Sequence, residues 1–282
     1  MKKIIFIALI FLSDINVSAQ NIEDKKYLLT SHSNSVGPTR LGMTDPYLSP
    51  LVYSGMGMSL NNEKCRFLVP ENINYSMRSK LSLSAGLMLN PSSSSSMTYI
   101  GVNHGWGLQY HWRPKKGLQV LVGGLWDVDF GFKNVARNAN NPVNIDLATN
   151  LNLSGTVLYD IQTRKRVLRL KLAVETPLFG YMFVPQGGAS YYEMISLGNL
   201  TDAFHFSSIH NKRGLNRTLS IEVPLNRSTW RFGFGFNNLK YSANHLVFVR
   251  KEYNLLIGTT FDVATFAGTK NKAPRNFIST ND

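Results

Sequence analysis

The chain has 282 residues, and its 30 Lys and Arg against 17 Asp and Glu give a formal net charge of +13. Its one cysteine, Cys65, excludes an intramolecular disulfide and is read as a half-buried or loop residue rather than a reactive thiol. So basic a chain could serve nucleic acid, but the export signal at its start argues for anionic head groups, lipopolysaccharide or simply solvated turns beside a charged membrane.

Residues 1–19 read as a signal peptide. Met1-Lys2-Lys3 is a short positive region, and Ile4 to Leu12 is an uncharged apolar run too short to span a bilayer as a helix. Val17-Ser18-Ala19 supplies the small residues a signal peptidase reads, so cleavage is expected after Ala19. No cysteine follows the run, which argues against a lipid anchor. Residues 20–74 are expected to lie in the periplasm, in a lumen or in one extra strand pair; within them Leu51–Leu60 is a candidate strand with no evident partner.

From residue 75 the pattern changes to a two-residue alternation. In 81–89 the apolar set is Leu81, Leu83, Ala85, Leu87 and Leu89. Similar runs follow at 98–112, 118–132, 145–160, 167–176, 217–225 and 229–238; the last sets Trp230, Phe232, Phe234 and Phe236 against Arg231, Gly233 and Gly235. Period two makes one face of a pleated sheet apolar and the other not. Typical globular strands run about five or six residues, whereas a tilted membrane strand needs roughly nine to eleven, and several of these runs meet the longer requirement. Tyr99, Tyr110, Trp112, Phe130, Phe132, Tyr159 and Trp230 sit near run ends, where an interfacial girdle would place them. Backbone groups in hydrocarbon must all be paired, so such strands require a closed ring. The expected fold is all-β, a transmembrane antiparallel up-and-down β-barrel of about 10–12 strands. Its barrel domain is placed at 75–263, followed by a loose polar tail at 264–282.

Connections alternate in length. Arg113–Gly117, Gln162–Arg166, Asn199–Asp202 and Asn226–Ser228 read as tight turns. Asn90–Met97, Lys133–Asn144, Pro177–Ala189, His210–Asn216 and Asn237–Val249 read as long loops, the asymmetry of outer-membrane barrels. The final strand, Tyr253–Val263, carries Gly258, Phe261 and Val263, a spacing similar to the signal that the barrel-assembly machinery reads. Arg169, Lys171, Glu175 and Arg231 are the candidate lumen-lining residues, because an outward Arg or Lys at the bilayer midplane would cost roughly 2–4 kcal/mol.

Motifs for chemistry are scarce. No Walker loop, dinucleotide fingerprint, HExxH or CxxC occurs, and the six histidines have no ligand spacing, so neither cofactor nor metal is expected. His205, Ser207 and Asn216, followed by Arg217, resemble the His-x-Ser and later Asn-Arg of the outer-membrane phospholipase family. That resemblance implies a serine nucleophile, a histidine base and an orienting asparagine. However, Phe204 and Phe206 claim the outward side, which turns His205 and Ser207 toward the lumen. In the phospholipase family the site faces lipid.

A second resemblance covers most of the chain. YLSPLVYSG at 47–55, PQGGASYYEMISLGN at 185–199, NKRG at 211–214, EVPL at 222–225 and TWRFG at 229–233 resemble an uncharacterised family of Bacteroidota envelope proteins, domain of unknown function 3316. It implies an outer-membrane location and carries over no catalytic residue. The Ser190-Tyr191-Tyr192-Glu193 cluster within it reads as a strand entrance with girdle tyrosines. Three roles stay open: an envelope-structural or narrow-pore barrel with an anion-preferring lumen, a scaffold whose loops bind surface polysaccharide or a partner subunit, and a phospholipase-like hydrolase. Expected partners are outer-membrane lipids, lipopolysaccharide and the assembly machinery, with no nucleic acid.

Overall fold

The computed structural model describes residues 27–139, 141–225, 228–264 and 277–280. The signal-peptide reading lies outside them. Eleven long or short strands build one ring: β1 (Tyr27–Asp45), β2 (Ser49–Val69), β3 (Asn72–Leu89), β4 (Ser96–Lys115), β5 (Leu118–Asn134), β6 (Val143–Gln162), β7 (Val167–Phe183), β8 (Phe204–Ser208), β9 (Lys212–Pro224), β10 (Thr229–Ala243) and β11 (Leu246–Ala264). Sequence neighbours pair antiparallel except β8 and β9, which both pair with β7, and β1 pairs with β11 to close the ring. β8 and β9 lie end to end along β7, Phe183↔Phe204 through Phe179↔Ser208 and then Glu175↔Asn216 through Arg169↔Glu222. They are two halves of one barrel strand, so the barrel has ten. Ten is within the expected range, but the assignment differs from the sequence reading.

The barrel begins at Tyr27, not at residue 75. β2 finds its partners in β1 and β3, with Gly55 facing Leu41 and Met88, so the orphan segment Leu51–Leu60 sits between two regular neighbours. Segment 210–216, expected as a loop, bulges out of the pairing with β7: a turn at 209–211 leads into Lys212–Leu215, which pair with β10 alone. It lies opposite an irregularity in β7 at Pro177, which has no N–H to give the ladder. Segment 237–249, also expected as a loop, is a hairpin. Asn244 and His245 both take positive φ, 50° and 61°, the combination a two-residue type I′ turn requires. Gly117 closes the β4–β5 turn at φ 78°, a conformation that glycine adopts without strain. The polar tail is not loose throughout. Phe277–Ile278 (β12) pairs parallel with Tyr27–Leu28, and Ser279 and Thr280 are buried.

Connections at one end are short (70–71, 116–117, 163–166 and 225–228), and at the other include 90–95, 135–142 and 184–203. In the longest, Ser190-x-x-Glu193 does not open a strand. Glu193 N–H donates to Ser190 Oγ at 3.2 Å and Ser190 N–H to Glu193 Oε2 at 2.7 Å, a capping box that starts helix α1 (Tyr191–Ser196). Asn199–Asp202, expected as a turn between strands, lies in a 3₁₀ turn of the same connection.

The wall is inverted relative to a soluble protein. Its large exposed side chains are apolar on every strand, among them Met58, Leu87, Ile100, Trp126, Leu153, Phe179, Phe234 and Leu255, while the buried set is rich in Ser, Asn, Lys, Arg, Asp and Glu. A row of Tyr75, Tyr110, Trp112, Tyr159 and Trp230 marks the outer wall toward the short-turn end. Tyr99 departs from the expected girdle. It points inward and is 1% exposed.

Candidate functional site: the lumen

Because side chains alternate across each strand, every second residue of ten strands meets inside, and the ring is narrow enough for opposite walls to touch. The interior is layered. Toward the short-turn end Cys65, Gln109, His111 and Thr280 line a small cavity, and Ser76 Oγ lies 2.7 Å from His111 Nε2.

Above this lies a charge layer. Glu63 on β2 accepts from Arg78 Nε at 2.7 Å and from Lys171 Nζ at 2.8 Å, and Arg231 Nη1 stands 3.5 Å away. Glu175 on β7 accepts from Arg78 Nη1 at 2.7 Å and pairs with Lys80. Arg231 Nε lies 3.2 Å from Glu222. These bonds cross the lumen, joining β2 and β3 to β7 and β10. Removing charge from water costs several kcal/mol per ion, which only such multiple partners offset.

Next is an amide and carboxylate layer. Asn103 Nδ2 bridges Asp127 at 3.1 Å and Asp129 at 2.8 Å, Asn150 bridges the same two at 2.7 and 3.3 Å, and Asn152 gives Asp127 a bond of 2.6 Å. Lys212 Nζ donates to Asn150 Oδ1 at 2.7 Å. A cavity of about 180 Å³ spans the two layers.

The long-loop end is dry. Leu41, Met43, Tyr47, Leu48, Tyr53, Met88, Met97, Tyr99 and Phe248 form a buried apolar cap with Val135 and Val184 from the connections. Beneath it Lys133 pairs with Asp45 and, at 2.8 Å, with Asp146. The loops are tied down by Tyr47 Oη–H donating to Ala189 O (2.9 Å) and Tyr191 Oη–H to Asn144 Oδ1 (2.7 Å). Burial in this cap, with the Asp45 carboxylate next in effect, pushes the Tyr47 phenol up to about 12, and burial likewise raises Tyr191.

Three of the four lumen candidates from the sequence, Lys171, Glu175 and Arg231, lie in the charge layer and line the central cavity. Arg169 sits nearer the short-turn end and holds Asp160 through two bonds of 2.7 and 2.9 Å. The phospholipase-like triad does not assemble. His205 and Ser207 face inward on β8, and His205 Nε2 and Ser207 Oγ are buried with no hydrogen-bond partner, each other included. Asn216, beyond the bulge, lines the central cavity, which neither of them does. The sequence reading also missed Glu63, Arg78, Lys80, Asp127 and Asp129. Their parity was readable: Arg78 and Lys80 extend the polar set Ser82, Ser84 backward by two steps, and Asp127 and Asp129 alternate with Trp126, Val128 and Phe130. Among the described residues no group of three His, Cys, Asp or Glu side chains is placed to hold a metal.

The chain belongs to a family described as "Protein of unknown function (DUF3316)", whose model matches residues 3–270. No curated protein sequence matches it. Among solved structures it is similar in fold to the outer membrane protease OmpT from Escherichia coli, at 6% identity and a TM-score of 0.50, over 87% of this chain and 99% of that one. The translocator domain of the autotransporter NalP from Neisseria meningitidis matches at 6% identity and a TM-score of 0.40, over 85% of this chain and 90% of that one. The fold is that of an outer-membrane β-barrel.

Proposed function

We propose that this chain is an envelope-structural barrel of the outer membrane, closed to solutes at rest, exported by a leader removed after Ala19 and inserted by the barrel-assembly machinery. Its family resemblance extends the proposal to a Bacteroidota envelope. The observation that supports it is the bracing of opposite walls by Glu63 and Glu175, which together hold Arg78, Lys80, Lys171 and Arg231. An anion-selective pore needs cations facing open water, and here each cation of that layer has a carboxylate. The apolar cap adds a second seal above it. Single-channel recording of the purified barrel in planar bilayers tests the reading. The expected trace is flat at both polarities, and steady current from the unmodified chain would overturn it.

A second reading, a scaffold that binds through its loops, is favoured by α1 and the residue after it. Tyr192, Ile195 and Leu197 are 80%, 64% and 70% exposed at the long-loop end. Co-purification from native membranes, repeated with these three changed to Ser, tests it. A partner retained equally by both forms would count against the loop.

A further inference from the structure

The outer wall is apolar except at two places, Lys64 and Arg66 toward the short-turn end of β2 and a larger group of cations at the long-loop end. On β9 the outward residues toward the long-loop end are Arg213, Leu215 and Arg217; on β10, Lys240, Asn238 and Phe236; on β11, Val249, Lys251 and Tyr253; on β1, Thr44, Gly42 and Arg40. Register makes these a continuous patch. Arg213 lies directly across from Lys240, Lys251 across from Asn238 and Gly42, and Arg40 across from Tyr253. Arg40, Lys240 and Lys251 are therefore separated by no more than one strand or one diagonal step from the next cation or its neighbour. Diagonal neighbours on adjacent strands stand roughly 7–8 Å apart.

Like charges directly opposite, such as Arg213 and Lys240, destabilise a sheet. Among the described residues no carboxylate comes within salt-bridge distance of Arg40, Arg213, Lys240 or Lys251. Arg213 donates to the Ile209 carbonyl at 3.1 Å, and Arg217 lies over the Phe236 ring at 4.9 Å. Immediately below the patch the wall becomes Leu219, Phe234 and Leu255, all facing outward. The same end of β2 to β7 has no outward cation and instead shows side chains such as Met56, Leu87, Ile100, Phe130 and Tyr181. Repulsion that is left unpaired inside the wall, at one height and on one side, calls for an anion supplied from outside. That anion must also tolerate the apolar surface beneath it.

We infer that this patch binds the phosphorylated head group of an outer-leaflet glycolipid, with Arg40, Arg213, Lys240 and Lys251 contacting phosphate and the apolar wall below accepting its acyl chains. Multidentate guanidinium and ammonium contacts to phosphate are charge-assisted and strong. Gly42, where an added Cβ would meet nothing within 4 Å, leaves a gap between the cations for the sugar. The inference rests on the outer-membrane reading above.

The test folds the full chain into phosphatidylcholine vesicles, scores folding by heat-modifiable gel migration, and then measures retention of diphosphorylated lipid A by native mass spectrometry. The parent is expected to fold and to retain the lipid. Arg40→Ala/Lys240→Ala/Lys251→Ala should fold equally and lose retention by roughly a hundredfold, the product of about a fivefold loss per cation. Lys64→Ala, an outward cation on β2 away from the patch, should retain it. Equal retention by parent and triple variant, or equal retention of dephosphorylated lipid A, would overturn the site. Displacement by an equal concentration of inorganic phosphate would also overturn it, by reducing it to a simple anion site. Failure of the parent to fold in vesicles would instead sink the membrane reading on which the site depends.

Discussion

Both walls of the barrel carry cations, and they stand in opposite states. Inside, every cation of the central layer is held by carboxylates reached across the lumen, and Glu63 alone is shared by three. Outside, Arg40, Arg213, Lys240 and Lys251 have no acidic partner among the described residues and crowd together at one end. The sequence alternation is the same on both faces; the difference lies in what each face borders. A narrow interior lets opposite walls neutralise one another, so charge there braces the ring. A convex wall diverges from itself, so charge there can be neutralised only by something else.

The strongest way to break that contrast is to remove the shared anion. Glu63→Ala would leave Arg78, Lys171 and Arg231 confronting one another, with only Glu175 and Glu222 to answer three guanidinium and ammonium groups. Losing one member of a buried pair costs about 3–5 kcal/mol. Glu63 keeps 18% of its side chain exposed, so the lower end, about 3 kcal/mol, is expected. The measurement is the midpoint of urea unfolding from vesicles, together with bilayer recording. The variant should unfold at lower urea and flicker open. A midpoint within error of the parent's would mean that the lumen charges are solvated individually and brace nothing.

How much of this was legible beforehand follows from the same geometry. The alternation exposed the sheet and its greasy side because period two is a local property. Arg169, Lys171, Glu175 and Arg231 faced the lumen by parity alone. What no local pattern carries is which residues meet across the ring. Glu63 lay in a segment, 20–74, whose strands mix Gly, Ser, Met and Asn on both faces, so β1 and β2 showed no clean alternation. β8 and β9 read as two strands because a bulge and a loop look alike in sequence, and only pairing along β7 shows them to be collinear. The capping box at Ser190 was readable, but its tyrosines suggested a girdle instead.

A smaller effect should come from the outer wall. Lys64 on β2 points outward, between Asn62 and Arg66 on its own strand and across from His32 and Ser79, inside the row marked by Tyr75. A lysine at the midplane costs roughly 2–4 kcal/mol and less toward the interfaces. Lys64→Leu is therefore expected to stabilise the barrel in vesicles by about 1–2 kcal/mol. The same change in Lys171, which is buried against Glu63, should destabilise it. Opposite signs for these two lysines would confirm that the faces treat charge differently. Matching signs would remove the distinction between inside and outside.

The smallest expected effect concerns the dry end of the interior. The Tyr47 phenol is raised by burial to about 12 against an ordinary value near 10. Its neutral form donates to the Ala189 carbonyl, and a phenolate would lose that donor and face the Asp45 carboxylate. A group whose folded pKa is raised contributes stability that is complete below the unfolded value and is lost as pH climbs toward the folded one. The cap should therefore hold at neutral pH and weaken between about pH 10 and 12. The difference in ultraviolet phenolate absorbance between parent and Tyr47→Phe isolates this group, and it should rise near 12. If the difference rises near 10, water reaches the cap, and the long-loop end is no drier than the charged layers below it.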